Sequence, residues 1–109
     1  MSTTVTHNQV RNTAVGQITE SGVAPAAVPI TIGFKPRFVC VVNTSERITL
    51  ESYENMTAAH ALKTIANGTR SKLTSLGITL GDTGFIVGLD TGIFPTHSGN
   101  NVLEFLAVG

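Results

Sequence analysis

Apolar and polar residues alternate with period two along most of this chain. Val28, Ile30, Ile32 and Phe34 alternate with Pro29, Thr31 and Gly33. That spacing predicts a strand with one apolar face. Pro29 lacks an N–H, which puts the strand at a sheet edge or at its own first residues. Arg37 to Asn43 is apolar on both sides: Phe38, Cys40 and Val42 point one way, Val39 and Val41 the other. Such a strand needs cover on both faces, from its own domain or from a partner. Cys40 is placed inward, as a small core residue rather than a nucleophile. Asn43-Thr44-Ser45-Glu46 is a turn signal. Arg47 to Tyr53 then alternates, with Ile48 and Leu50 inward and Thr49, Glu51 and Tyr53 outward. The two strands form a hairpin.

Residues 56–66 are ambiguous between helix and strand, because Ala58, Ala59 and Ala61 favour a helical turn. Asn67-Gly68 is a type I′ hairpin signal, so a polar hairpin is expected, from Leu62–Ala66 to Thr69–Leu73. Outward Lys63, Arg70 and Lys72 would give it a basic side. Ile78-Thr79-Leu80, the turn Gly81-Asp82-Thr83-Gly84, and the apolar run Phe85–Leu89 follow. A loop over Thr91–Asn101 leads to a last strand, Val102–Val108, pinned into a sheet at the C-terminus. Short strands separated by turn signals predict an all-β fold: a small antiparallel β-sandwich or barrel, jelly-roll or Greek-key-like.

Residues 1–27 differ from the rest. They are small and polar, with few large apolar side chains, and they end in Gly22-Val23-Ala24-Pro25-Ala26-Ala27. Two organisations are open: a flexible tail, or an extended N-terminal arm that orders on a neighbouring subunit through Val5, Val10, Val15 and Ile18. Either way residues 28–109 are the β-sandwich domain.

Composition narrows the function. The chain has 109 residues, enough for one domain with a modest core. Charged residues make up 13% and the net charge is zero, against about 25% charged in ordinary domains. The deficit is filled by 16 Thr, 7 Ser and 7 Asn. A nucleic-acid binder would need a basic stripe, so no nucleic acid is expected as a partner. No apolar run approaches the roughly 20 residues of a membrane span, so no membrane is expected either. The N-terminus has no basic segment followed by an apolar one, so it does not read as a secretory signal. The single cysteine cannot form an internal disulfide. Both features predict folding in a reducing cytoplasm.

Candidate chemistry is sparse. Asp-Thr-Gly occurs at Asp82-Thr83-Gly84 and at Asp90-Thr91-Gly92. Aspartic proteases pair two such aspartates about 3 Å apart. Too little chain follows Gly92 for the rest of that fold, and Asp-Gly steps at strand ends are ordinary turn chemistry. His7, His60 and His97 have no ligand spacing. Gly81, Gly84 and Gly88 do not make a phosphate loop. Glu51 and Glu54 could form an acid–base pair or simply belong to a solvated edge. Asn43, Asn55 and Asn67 head glycosylation triplets that are expected to be unused. No catalytic residue, metal site or cofactor is assigned, and no enzyme activity is expected.

The stretch Gly33-Phe34-Lys35-Pro36-Arg37-Phe38-Val39-Cys40-Val41-Val42-Asn43 resembles small structural proteins of tailed bacteriophage particles. The pattern continues through Arg47–Glu54, Asn55-Met56, Gly77-Ile78-Thr79, Gly84–Gly88 and Glu104-Phe105. It covers roughly residues 30–109. Such proteins often carry a tryptophan in the hairpin and the last strand; this chain has none. The resemblance implies a virion structural protein of the capsid decoration or cement type. It would be assembled in the host cytoplasm, bind the outside of the head shell as an oligomer, and clamp neighbouring major capsid subunits. Arg37, Val39, Val41 and Tyr53 are the partner-binding candidates of the domain. The alternative is a carbohydrate- or receptor-binding sandwich module of a tail or fibre. Such modules stack sugars on exposed aromatics, and Tyr53 is the only tyrosine.

Overall fold

A computed structural model describes residues 2–10, 12–21, 27–44, 46–88 and 100–109; for 2–10, 20–21 and 100–101 it describes the backbone alone. Ten strands are found: β1 (Ser2–Val10), β2 (Thr13–Ser21), β3 (Val28–Thr31), β4 (Phe38–Asn43), β5 (Ile48–Tyr53), β6 (Ala61–Thr64), β7 (Arg70–Leu73), β8 (Ile78–Leu80), β9 (Gly84–Val87) and β10 (Asn100–Val108). The described residues contain no helix. Seven strands form one sheet in the order β1-β2-β10-β4-β5-β6-β7, and three form a second, β3-β9-β8. Every pairing is antiparallel. The fold is an all-β sandwich.

The core lies between the sheets. The large sheet contributes Ala14, Ile18, Val39, Val41, Leu50, Ala61, Leu103, Phe105 and Ala107; the small one faces them with Val28, Ile30, Ile32, Ile78, Phe85 and Val87. Phe85 and Phe105 meet edge to face at 5.3 Å across the gap. Burying a side chain of Ile or Leu size contributes about 1.5–3 kcal/mol. Asn43 and Ser52 are buried on the same inner face. Asn43 Oδ1 accepts a bond from the Glu46 N–H at 3.1 Å, holding the β4–β5 turn.

The C-terminal strand β10 sits inside the large sheet, between β2 and β4. The N-terminal segment is extended, and it folds back as a hairpin on its own chain. β1 pairs with β2, and β2 pairs along its whole length with β10. At one inward position the segment is small where β10 is large. Gly16 lies opposite Phe105, Ala14 opposite Ala107, and Ile18 opposite Leu103. Ala14 and Ile18 are fully buried, so β2 supplies part of the core.

Pro29 lies on β3, an edge strand, as its missing N–H requires. The ambiguous segment 56–66 contains β6 and no helix. The Asn67-Gly68 turn differs from the expected two-residue I′ form. Only Gly68 has a positive φ, 89°. The Gly68 N–H donates to the Ile65 carbonyl and the Ile65 N–H to the Thr69 carbonyl, a three-residue loop with glycine in the left-handed position. The side chain of Asn67 prefers to accept from the Thr69 N–H at 3.0 Å.

Candidate interaction surface

Both faces of β4 are apolar, and so are Leu106 and Val108 on the outward side of β10, but among the described residues the small sheet covers only one face. The register sets out what the other face presents. Thr13, Val108, Phe38 and Tyr53 form one cross-strand row. Val15, Leu106, Cys40, Glu51, Leu62 and Lys72 form the next. Gln17, Glu104, Val42, Thr49, Thr64 and Arg70 form the third. Val15 is 45% exposed and Tyr53 48%, and Leu106 and Val108 are exposed as well. Phe38, Cys40, Val42 and Leu62 are half-buried among them. The centre of this outer face is a contiguous apolar surface. Scattered exposed apolar residues are ordinary; a contiguous group rimmed by polar ones marks an interaction site.

The rim is tied down. Gln17 Nε2 donates to Glu104 at 3.0 Å, and Arg70 pairs with Glu51 at 3.0 Å. Tyr53 Oη donates to Glu51 at 3.4 Å. Tyr53 leans on Phe38 with centroids 5.0 Å apart at 44°. Cys40 sits centrally. Burial, and then the negative charge of Glu51, push its thiol pKa up, so it stays a neutral thiol at neutral pH. Arg37 lies beyond the patch and holds Glu54 through two bonds of 3.2 and 3.1 Å. Those bonds, with help from the Arg37 and Lys35 charges, hold the Glu54 carboxyl below its usual range; the same pair raises Arg37.

The expected binding residues divide accordingly. Val15 and Tyr53 are exposed on the outer face, and Arg37 is exposed beside it. Ile18, Val39 and Val41 are fully buried inside the sandwich and are not available to a partner. The pleat explains the reversal on β4. Two apolar faces look alike in sequence, and the inward one proved to be Val39 and Val41, which leaves Cys40 outward. The side chains of Val5 and Val10 lie outside the described residues. Leu106, Val108 and Leu62 belong to the patch and were not singled out by the pattern; their register against β4 and β5 reveals them. Lys63 is opposite Leu50, on the inner-face side, so the basic side of the β6–β7 hairpin consists of Arg70 and Lys72.

Among the described residues, those with possible chemistry do not converge. Glu51 and Glu54 are engaged by different arginines. Asp82-Thr83-Gly84 forms the β8–β9 turn, where the Thr83 carbonyl accepts from the Ile32 and Gly33 N–H groups at 2.9 and 3.0 Å. A cavity of about 210 Å³ beside it has Asp82 as its one carboxylate. A second cavity, about 170 Å³, is lined by Lys35, Glu54, Met56 and Leu80. Asp90-Thr91-Gly92 and His97 lie outside the described residues, as does the side chain of His7. Among the described residues no three His, Cys, Asp or Glu groups gather to hold a metal. No family model matches this chain, and no curated protein or solved structure does either.

Proposed function

We propose that this chain is a non-enzymatic virion structural protein of the capsid decoration or cement type. It sits on the capsid surface, binds the head shell, and clamps neighbouring major capsid subunits together with other copies of itself. The observation that carries the reading is the apolar outer face of the large sheet, which the small sheet leaves uncovered. A domain with few charges leaves a second apolar face on the strands that already build its core. Water is a poor covering for that face. A neutral sheet surface suits many equivalent sites on a lattice, because copies bound side by side do not repel one another. A stable seat needs about 1,000 Å² of contact or more, and the exposed Val15, Tyr53, Leu106 and Val108 of the outer face would form the apolar part of it.

Co-sedimentation with purified empty heads tests the reading. Wild-type protein should pellet with heads, and Leu106→Asp, which sets a charge in the apolar centre, should stay in the supernatant while still melting cooperatively as a folded protein. Equal pelleting of both proteins would remove the outer face from the reading. Absence of pelleting by wild type would remove the head shell as the partner.

The second reading, a carbohydrate- or receptor-binding module of a tail or fibre, is favoured by one feature. Tyr53 is exposed and braced by Phe38, which makes an aromatic platform of the kind that stacks on sugars. A glycan array with hits lost in Tyr53→Ala would favour it.

A further inference from the structure

We propose that β1 is a docking edge for a second copy of this chain, paired antiparallel with the partner's β1 across a two-fold axis. Among the described residues the sandwich has four sheet edges: β1 and β7 on the large sheet, β3 and β8 on the small one. Exposed edges invite pairing with other chains, and natural proteins guard them with short length, proline or charge. Three of the four are guarded. β3 has four residues, including Pro29. β8 has three, and its flank is occupied: the Gly77 N–H donates to the Ala59 carbonyl at 2.9 Å, and the Ala59 N–H donates to Thr79 Oγ1 at 3.1 Å. β7 has four residues, of which Arg70 and Lys72 are cationic.

β1 is unlike them. It has nine residues, STTVTHNQV, without a proline or a Lys, Arg, Asp or Glu. It pairs with β2 on one side over its full length, and among the described residues no strand pairs with its other side. At about 3.4 Å per residue it offers roughly 30 Å of backbone donors and acceptors.

The occupant follows from length, charge and symmetry. An edge paired antiparallel with itself gives an isologous contact that closes at two copies. A neutral strand meets its own copy without repulsion. β7 paired with itself would gather four cations on one ladder. β1 against β7 would mismatch nine residues with four and build an open filament. Self-pairing of β1 joins two large sheets into one of fourteen strands. This rests on the self-association in the reading above, and its test uses no heads, so failure to dimerise and failure to bind heads are separate results.

Sedimentation velocity of the full chain over a concentration series tests it. The mass should rise to twice 11.4 kDa with concentration. Thr4→Lys/Thr6→Lys, which places the natural guard charge on the edge, should weaken the dimer by about tenfold or more. Lys72→Thr on the opposite edge should leave it unchanged. A wild-type mass of 11.4 kDa at every concentration overturns the proposal, and so does a dimer indifferent to the lysine pair. Should the lysine variant fail to fold, amide exchange of wild-type β1 decides: exchange that slows as concentration rises supports the proposal, and exchange independent of concentration overturns it.

Discussion

The two faces of β4, at the middle of the seven-stranded sheet, are both apolar. The inner face of β10, β4 and β5 carries Leu103, Phe105, Ala107, Val39, Val41 and Leu50, and also the buried polar residues Asn43 and Ser52. The outer face carries Leu106, Val108, Phe38, Cys40, Val42 and Tyr53. By residue type alone the outer row of β4 would pass for the core. What separates the faces is the position of the β3-β9-β8 sheet, which covers one of them. The inner face therefore builds the core, and among the described residues no second sheet packs on the outer one.

Breaking the inner face should have the largest effect. Leu103→Ala removes a fully buried side chain and should cost about 2–5 kcal/mol, lowering the melting temperature by ten degrees or more. Circular dichroism melts measure it. Gly84→Ala comes next. A Cβ there would run into the Ile30 carbonyl, because β3 passes close beside β9. The strands must part, at about 1–3 kcal/mol.

Outer-face changes should be milder in the same melts. Leu106→Asp should cost about 1 kcal/mol, because the position is only 37% exposed and strands disfavour Asp, while head binding, on the proposed function, should be lost. That contrast between stability and binding is the sharpest form of the comparison.

Titration gives smaller effects. The raised Cys40 pKa means that the folded state keeps its thiol proton where the unfolded chain, near the usual 8.5, begins to lose it. Stability should be flat below that pH and should fall as pH rises above it; Cys40→Val should flatten the decline. Glu54 has the opposite sign. Its lowered pKa contributes above the usual carboxylate value of about 4.3 and is lost as pH falls through the folded value. Arg37→Ala should remove that dependence and leave the neutral-pH melt almost unmoved, since an exposed pair is screened by water. This is the smallest effect of the series.

The sandwich was legible because its strands alternate clearly. The β4–β5 hairpin, the edge position of Pro29 and the terminal strand all follow from period two and turn chemistry. The faces of β4 were not legible, since alternation between two apolar sets does not say which set is covered. The role of β2 was hidden for a related reason. Of its inward positions Ala14, Gly16 and Ile18, only Ile18 is large, and Phe105 fills the space opposite Gly16. A segment that borrows its bulk from a strand 90 residues away looks poor in core residues when read alone. The outer patch shows the same limit. Val15, Leu106, Cys40 and Leu62 form one row only once the register of four pairings is known.

The central claim is that the outer face of the large sheet is the face turned toward a partner. A reconstruction of decorated heads, at a resolution that separates strands, tests it most directly. The account predicts density in which Val15, Leu106, Cys40 and Tyr53 lie against the shell. A chain seated on the shell by the small sheet, with those residues open to solvent, would contradict it.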